Sequence, residues 1–166
     1  MNASSPKKNR TSLGSIHQAV MARDLAGVRE AIKRGDDVDD LDRDGRTPLF
    51  ISVMDGEFDI SSDLINAGAN VNAGDKNLET PLHFAARKYQ VASAKLLLER
   101  GANVDAQDSH GNTALSQAVF DSKGRGEMIS LLLAHSADKH LKNAHGVSPN
   151  DLALSIANYE VSKFLK

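Results

Sequence analysis

Asp40, Asp42 and Asp44, in the stretch DDLDRDGRTPLF over residues 39–50, stand at the first, third and fifth positions of a calcium-binding loop, with Gly45 at the sixth. Alternating carboxylates followed by a glycine that permits a sharp turn are what wraps oxygen ligands around a hard cation. The twelfth position should be a Glu that grips the ion with both oxygens, and here it is Ile51, with Pro48 at the ninth. The grip is missing. His135, His140 and His145 lie five apart, a spacing that does not bring two imidazoles onto one helix face, and no thiol or carboxylate partner accompanies them. No glycine-rich phosphate loop and no nucleophile elbow is present. The residues therefore nominate no catalytic group, no metal site and no cofactor, and the chain reads as a non-enzyme.

The elements that hold these residues are more informative. Thr47-Pro48-Leu49 recurs at Thr80-Pro81-Leu82, at Thr113-Ala114-Leu115 and at Ser148-Pro149, with steps of 33, 33 and 35 residues. Gly35, Gly68 and Gly101 keep the same pitch, with Ser136 in the next slot, and so do Asp42, Asp75, Asp108 and Asn143. Of the three acidic residues only Asp42 belongs to this architecture. One period on, Asp40 becomes Ala73, Asp44 becomes Asn77 and Gly45 becomes Leu78. Thr and Ser cap helix starts, and proline has its torsion preset for the first helical turn, so each Thr-Pro opens a short helix. Each glycine of the other series closes a leucine- or isoleucine-rich helix in a left-handed conformation. Runs such as Leu96-Leu97-Leu98 and Leu131-Leu132-Leu133 are too short for a bilayer, which needs ~20 residues. They supply apolar faces that one helix pair cannot bury alone, so neighbouring units must stack.

At Thr80-Pro81-Leu82-His83-Phe84-Ala85 the chain resembles the ankyrin repeat, whose signature has this composition and period. The resemblance covers residues 13–166 and implies an all-α solenoid of helix-turn-helix units with short hairpin fingers. Five units are expected, over residues 13–42, 43–75, 76–108, 109–143 and 144–166, the first and last being caps. It also implies that His83 hydrogen-bonds between repeats, with His17 in the matching slot of the N-terminal cap. Residues 1–12 are expected to form a disordered tail, and MNASSPKKNRTS carries no apolar stretch fit for a secretory signal.

Composition agrees with this picture. The chain has 166 residues, 40% hydrophobic and 4% aromatic, with no cysteine and no tryptophan. A core of Leu, Ile, Val and Ala suits thin stacked helices, and nothing depends on disulfides or thiolate metal sites. A net charge of −2 without a basic stripe argues against nucleic acid as a partner. A cytoplasmic protein, monomeric when free and without membrane contact, is expected.

A solenoid of this kind offers a concave surface for another protein. The resemblance implies that two positions after the buried pair of the first helix face that groove. The first column reads Met21, Met54, Arg87, Phe120 and Ser155, the second Ala22, Asp55, Lys88, Asp121 and Ile156. Large apolar side chains around an arginine are what interface cores enrich, although Met21, Met54 and Phe120 also suit a core. Finger positions add Arg43, Arg46, Lys76, Asn77, Leu78, His110 and His145. Leu78 stands where the other units have Gly45, Gly111 and Gly146, so either the finger changes shape or the leucine accepts strain. Tyr89 replaces the turn glycine seen at Gly56, and a two-residue insertion lies within FDSKGRGEM between the helices of the fourth unit. The partner expected from these features is a protein, held and occluded in the groove. The short chain with its closing GVSPNDLALSIAN unit is similar to bacterial ankyrin proteins that neutralise a toxin, which implies an immunity role. An adaptor joining two proteins is the alternative.

Overall fold

The structure, a computed structural model, describes residues 15–156 and 160–165. The expected tail over residues 1–12 lies outside them. Nine α-helices and a closing 3₁₀ helix are found among the described residues, with no strand. They are α1 (Ser15–Met21), α2 (Leu25–Arg34), α3 (Pro48–Asp55), α4 (Phe58–Asn66), α5 (Pro81–Arg87), α6 (Val91–Glu99), α7 (Ala114–Phe120), α8 (Glu127–Ala134) and α9 (Pro149–Ser155). The 3₁₀ helix Val161–Leu165 takes the place of a second helix in the last unit.

The sequence marks explain the ends of these helices. Thr47, Thr113 and Ser148 accept hydrogen bonds from the backbone N–H of Phe50, Ser116 and Asp151, satisfying donors that a helix start leaves open. At the other end Gly35, Gly68 and Gly101 take positive φ, and Ser136 follows them at φ 68°.

The odd-numbered helices α1, α3, α5, α7 and α9 stack in one row, and α2, α4, α6, α8 and the 3₁₀ helix stack in a second row behind it. The core lies between the rows, where Val53, Leu64, Leu82, Leu97, Leu115 and Leu132 are fully buried. Each such leucine contributes about 1.5–3 kcal/mol of burial free energy, available only because a neighbouring unit covers it.

One helix position, occupied in turn by His17, Phe50, His83 and Ser116, fills the first three seams between units and leaves the fourth unfilled. His17 Nε2 lies 3.3 Å from the Arg46 carbonyl, and His83 Nε2 lies 3.1 Å from the Asn112 carbonyl. The Thr80 N–H donates to His83 Nδ1, so the ring proton sits on Nε2 and is donated across the seam. Phe50 instead meets Phe84 edge-on, with ring centroids 5.0 Å apart. Ser116 reaches only its own Thr113, and the seam beyond it keeps a cleft.

The acidic series has a structural task. Asp42 Oδ1 accepts the backbone N–H of Asp44 and Arg46, and its Oδ2 accepts the Arg46 guanidinium. Asp75 receives the N–H of Asn77 and Glu79, Asp108 those of His110 and Asn112, and Asn143 those of His145 and Val147. Each side chain closes its own finger. Burial pushes the Asp42 carboxyl up, but these backbone and guanidinium bonds outweigh it and hold it below the ordinary carboxylate range. The fingers are then joined, as Lys76, Ser109 and Ala144 donate backbone N–H bonds to the carbonyls of Asp44, Asn77 and His110.

Leu78 resolves the alternative posed by its sequence. The finger keeps its shape, and Leu78 takes φ 60° where Gly45, Gly111 and Gly146 take 79°, 77° and 75°.

Candidate partner-binding face

The fingers and the C-terminal ends of the first-row helices share one face. Arg46, at the base of its finger, brings its guanidinium 4.0 Å from the sulfur of Met54 at the end of α3. One unit on, Glu79 pairs with Arg87 at the end of α5. A unit further, Asn112, Val147 and Phe120 line a common cleft. Of the expected site residues, these contacts place Arg46, Met54, Arg87 and Phe120 on this face.

Their environments differ along the face. Met21 is 57% exposed at the end of α1. Met54 and Asp55 are half-buried, Met54 packed against the core. Arg46 is shared between Asp42 and Asp44, at 2.8 and 3.1 Å. Arg87 is held three ways, by Glu79, by donation from its Nε to Gln117 Oε1 at 3.3 Å, and by its guanidinium carbon 4.9 Å above the Phe84 ring. Arg43, Lys76, Asn77, His110 and His145 are exposed on the fingers, as is Lys88 after α5. Leu78 projects at a finger tip with 59% exposure. Phe120, at 68%, is bare at the end of α7, beside half-buried Asp121.

Two expected site residues are turned to other uses. Tyr89 adopts φ 57°, donates its hydroxyl to the Arg125 carbonyl, and carries the Arg125 guanidinium carbon 3.9 Å above its ring. It thereby fastens the inserted loop 121–126 to the turn between α5 and α6, and burial there raises the phenol above its ordinary value. Ile156 is half-buried against the core just after α9.

A cleft of about 390 Å³ lies between the fourth and fifth units. Phe120, Val147 and Leu152 form its apolar wall, and Asn112, Gln117 and Asn143 its polar side, with His145 at the finger. Sequence reasoning missed Gln117 and Leu152 because it followed only the two columns after the buried pair. The slot that reads Ile51, Phe84, Gln117 and Leu152 is buried at Ile51 and reaches the cleft at Gln117 and Leu152, and Ser116 after His83 was the signal of an unfilled seam.

Among the described residues no group of three His, Cys, Asp or Glu side chains is arranged to hold a metal ion, and no helix is long and apolar enough to cross a membrane. The stacked helix pairs, the bridging histidines and the joined fingers define the class of protein. A family model described as ankyrin repeats in three copies matches residues 16–108, more than half of the chain, and one described as ankyrin repeats in many copies matches residues 89–133. The chain belongs to the ankyrin-repeat family, and is accordingly a protein–protein interaction module. No curated protein matches it.

Proposed function

We propose that this module binds one partner protein across the face formed by the fingers and the first-row helix ends, and acts by occluding it. The observation that carries the reading is the bare Phe120, 68% exposed, which forms with Val147 and Leu152 the apolar wall of a cleft. Apolar surface left open as a contiguous patch marks contact sites, and interface energy concentrates in a few large side chains. Met21, Arg43, Arg46, Met54, Asp55, Lys76, Asn77, Leu78, Arg87, Lys88, His110, Asp121 and His145 are proposed to complete the surface. Tyr89 and Ile156 act from behind it, by holding the loop and the last helix. The most specific form of this reading is an immunity protein that neutralises a toxin, a role suggested only by the resemblance noted for the GVSPNDLALSIAN unit.

The test is a double variant, Arg87→Glu with Phe120→Ala, assayed against the protein captured from the native cell. Binding is expected to vanish while the helical circular dichroism signal is unchanged. Wild-type affinity in that variant would remove the proposal. An inhibitor should also hold a single partner and abolish its activity, whereas simultaneous capture of two proteins would favour an adaptor.

A further inference from the structure

The cleft between α7 and α9 has a polarity that can be read atom by atom. The backbone N–H groups of His145 and Val147 both donate to Asn143 Oδ1, each at 3.0 Å, which fixes the orientation of that amide. Asn143 Nδ2 is therefore the donor in its 2.8 Å bond with Asn112 Oδ1, and the Asn112 amide nitrogen is turned the other way. Arg87 Nε can only donate, so its 3.3 Å bond fixes Gln117 Oε1 as acceptor and leaves Gln117 Nε2 as a donor. Among the described residues neither Asn112 Nδ2 nor Gln117 Nε2 has a hydrogen-bond partner.

Two free amide donors thus stand against a wall of Phe120, Val147 and Leu152. No side chain lining the cleft is an acid, a lysine or an arginine. Of the charged side chains bonded to lining residues, Arg87 is paired with Glu79, and Asp151 accepts from the Ser148 hydroxyl at 2.6 Å. A ligand complementary to this lining is apolar, carries hydrogen-bond acceptors beside its apolar group, and needs no charge. Those are the properties of an apolar residue within a peptide chain, whose own and preceding carbonyls flank the side chain. A carboxylate would also accept the two bonds, but no lysine or arginine lines the cleft to offset its desolvation, and His145 is the one titratable side chain in that lining. The volume of about 390 Å³ lies at the small end of ligand sites, which run from roughly 300 to 1,000 Å³.

We propose that this cleft is the anchor point for a single internal leucine-like residue of the partner, held by apolar contact with Phe120, Val147 and Leu152 and by Asn112 and Gln117 donating to peptide carbonyls. This rests on the reading of the face as a protein-binding surface, and gives that reading a chemical preference.

The probe is N-acetyl-leucine N-methylamide, titrated into the full chain and followed by ¹⁵N-detected amide NMR, with N-acetyl-leucine and N-acetyl-lysine N-methylamide as comparisons. Saturable shifts are expected at the Phe120 and Val147 backbone amides and at the Asn112 and Gln117 side-chain amides. The already bonded Asn143 amide should move less. The free carboxylate should bind about tenfold more weakly. Phe120→Ala and Val147→Ala, both changes at exposed positions, should each lower the response to the neutral probe. Equal binding of carboxylate and amide, unmoved Asn112 and Gln117 signals, or an undiminished response in both variants would overturn the proposal. If the probe fails while Arg87→Glu/Phe120→Ala still abolishes partner binding, the cleft chemistry falls and the protein-binding reading stands. If the probe seats as expected but the double variant keeps its partner, the cleft takes a neutral peptide group without anchoring the partner, and the proposal falls together with the reading it rests on.

Discussion

The seam between the third and fourth units and the seam between the fourth and fifth use the same backbone plan to opposite ends. In the first, His83 is fully buried, accepts from Thr80 and donates to the Asn112 carbonyl, and Arg87 above it is tied to Glu79, Gln117 and Phe84. In the second, Ser116 is too short to cross, Phe120 is bare, and a cleft remains. One helix position separates a stitched seam from an open one. A repeat array divides its work in this way, because each seam is an independent term in stability and a unit can relax its packing without unravelling the rest.

The largest effect expected from this contrast is at His83. His83→Ala removes a buried ring, leaves the Thr80 N–H without a partner and takes from the Asn112 carbonyl its bond across the seam, leaving it only the Asp108 N–H of its own finger, which should cost about 3 kcal/mol. Ser116→Ala, the same slot in the open seam, should cost less than about 1 kcal/mol. Urea denaturation of both variants checks the pair, and equal losses would erase the distinction.

Next comes the joint between fingers. At Gly111 an added Cβ would sit 2.8 Å from the Ala144 backbone nitrogen, where the fourth finger touches the fifth. Gly146 has the same left-handed backbone, at φ 75°, but nothing within 4 Å of an added Cβ. Gly111→Ala should lower stability by more than about 2 kcal/mol, and Gly146→Ala by about 1 kcal/mol, the left-handed penalty alone. Thermal melts that rank them the other way would contradict the finger geometry.

Acidification should act on the stitched seam. Burial lowers the His83 pKa, with the Asn112 bond and the charges of Asp108 and Glu79 working in the other direction. Because the unfolded chain then binds the proton more readily, the contribution of His83 is complete above the ordinary histidine value of about 6.5 and is lost as pH falls from there toward the lowered value. The wild type should lose stability across that window, and the His83→Ala variant should show a shallower loss in parallel urea titrations.

A smaller effect, of opposite sign, belongs to Leu78. Leu78→Gly relieves a positive φ on a bulky residue and should stabilise the fold by about 1 kcal/mol. A loss of partner affinity in the same variant would place the leucine in the interface, and unchanged affinity would leave it a strained bystander.

The fold could be read from the sequence because its cues are local and repeated. Thr-Pro starts, glycine stops and the Asp42, Asp75, Asp108 and Asn143 series each report one backbone event, and the structure gives each the same task in every finger. Leu78 was recognisable as an anomaly, but whether its turn would distort depended on the bonds joining Lys76 to Asp44 and Ser109 to Asn77, which lie a whole unit apart in sequence. The face was only partly readable. Column positions identified Phe120 and Arg87, yet could not foresee that Tyr89 would fasten the inserted loop, because that contact depends on where Arg125 falls across 36 residues. The cleft was hidden for the same reason. It exists because of what Ser116 fails to fill.

The central claim is that a partner protein lies on the finger side of this solenoid, anchored toward its C-terminal half. Hydrogen–deuterium exchange of the free chain and of its complex with the captured partner tests it most directly. Protection is expected in the fingers around residues 76–79, 109–112 and 143–147 and at the ends of α5 and α7. Protection confined to α2, α4, α6 and α8, on the opposite side, would contradict it.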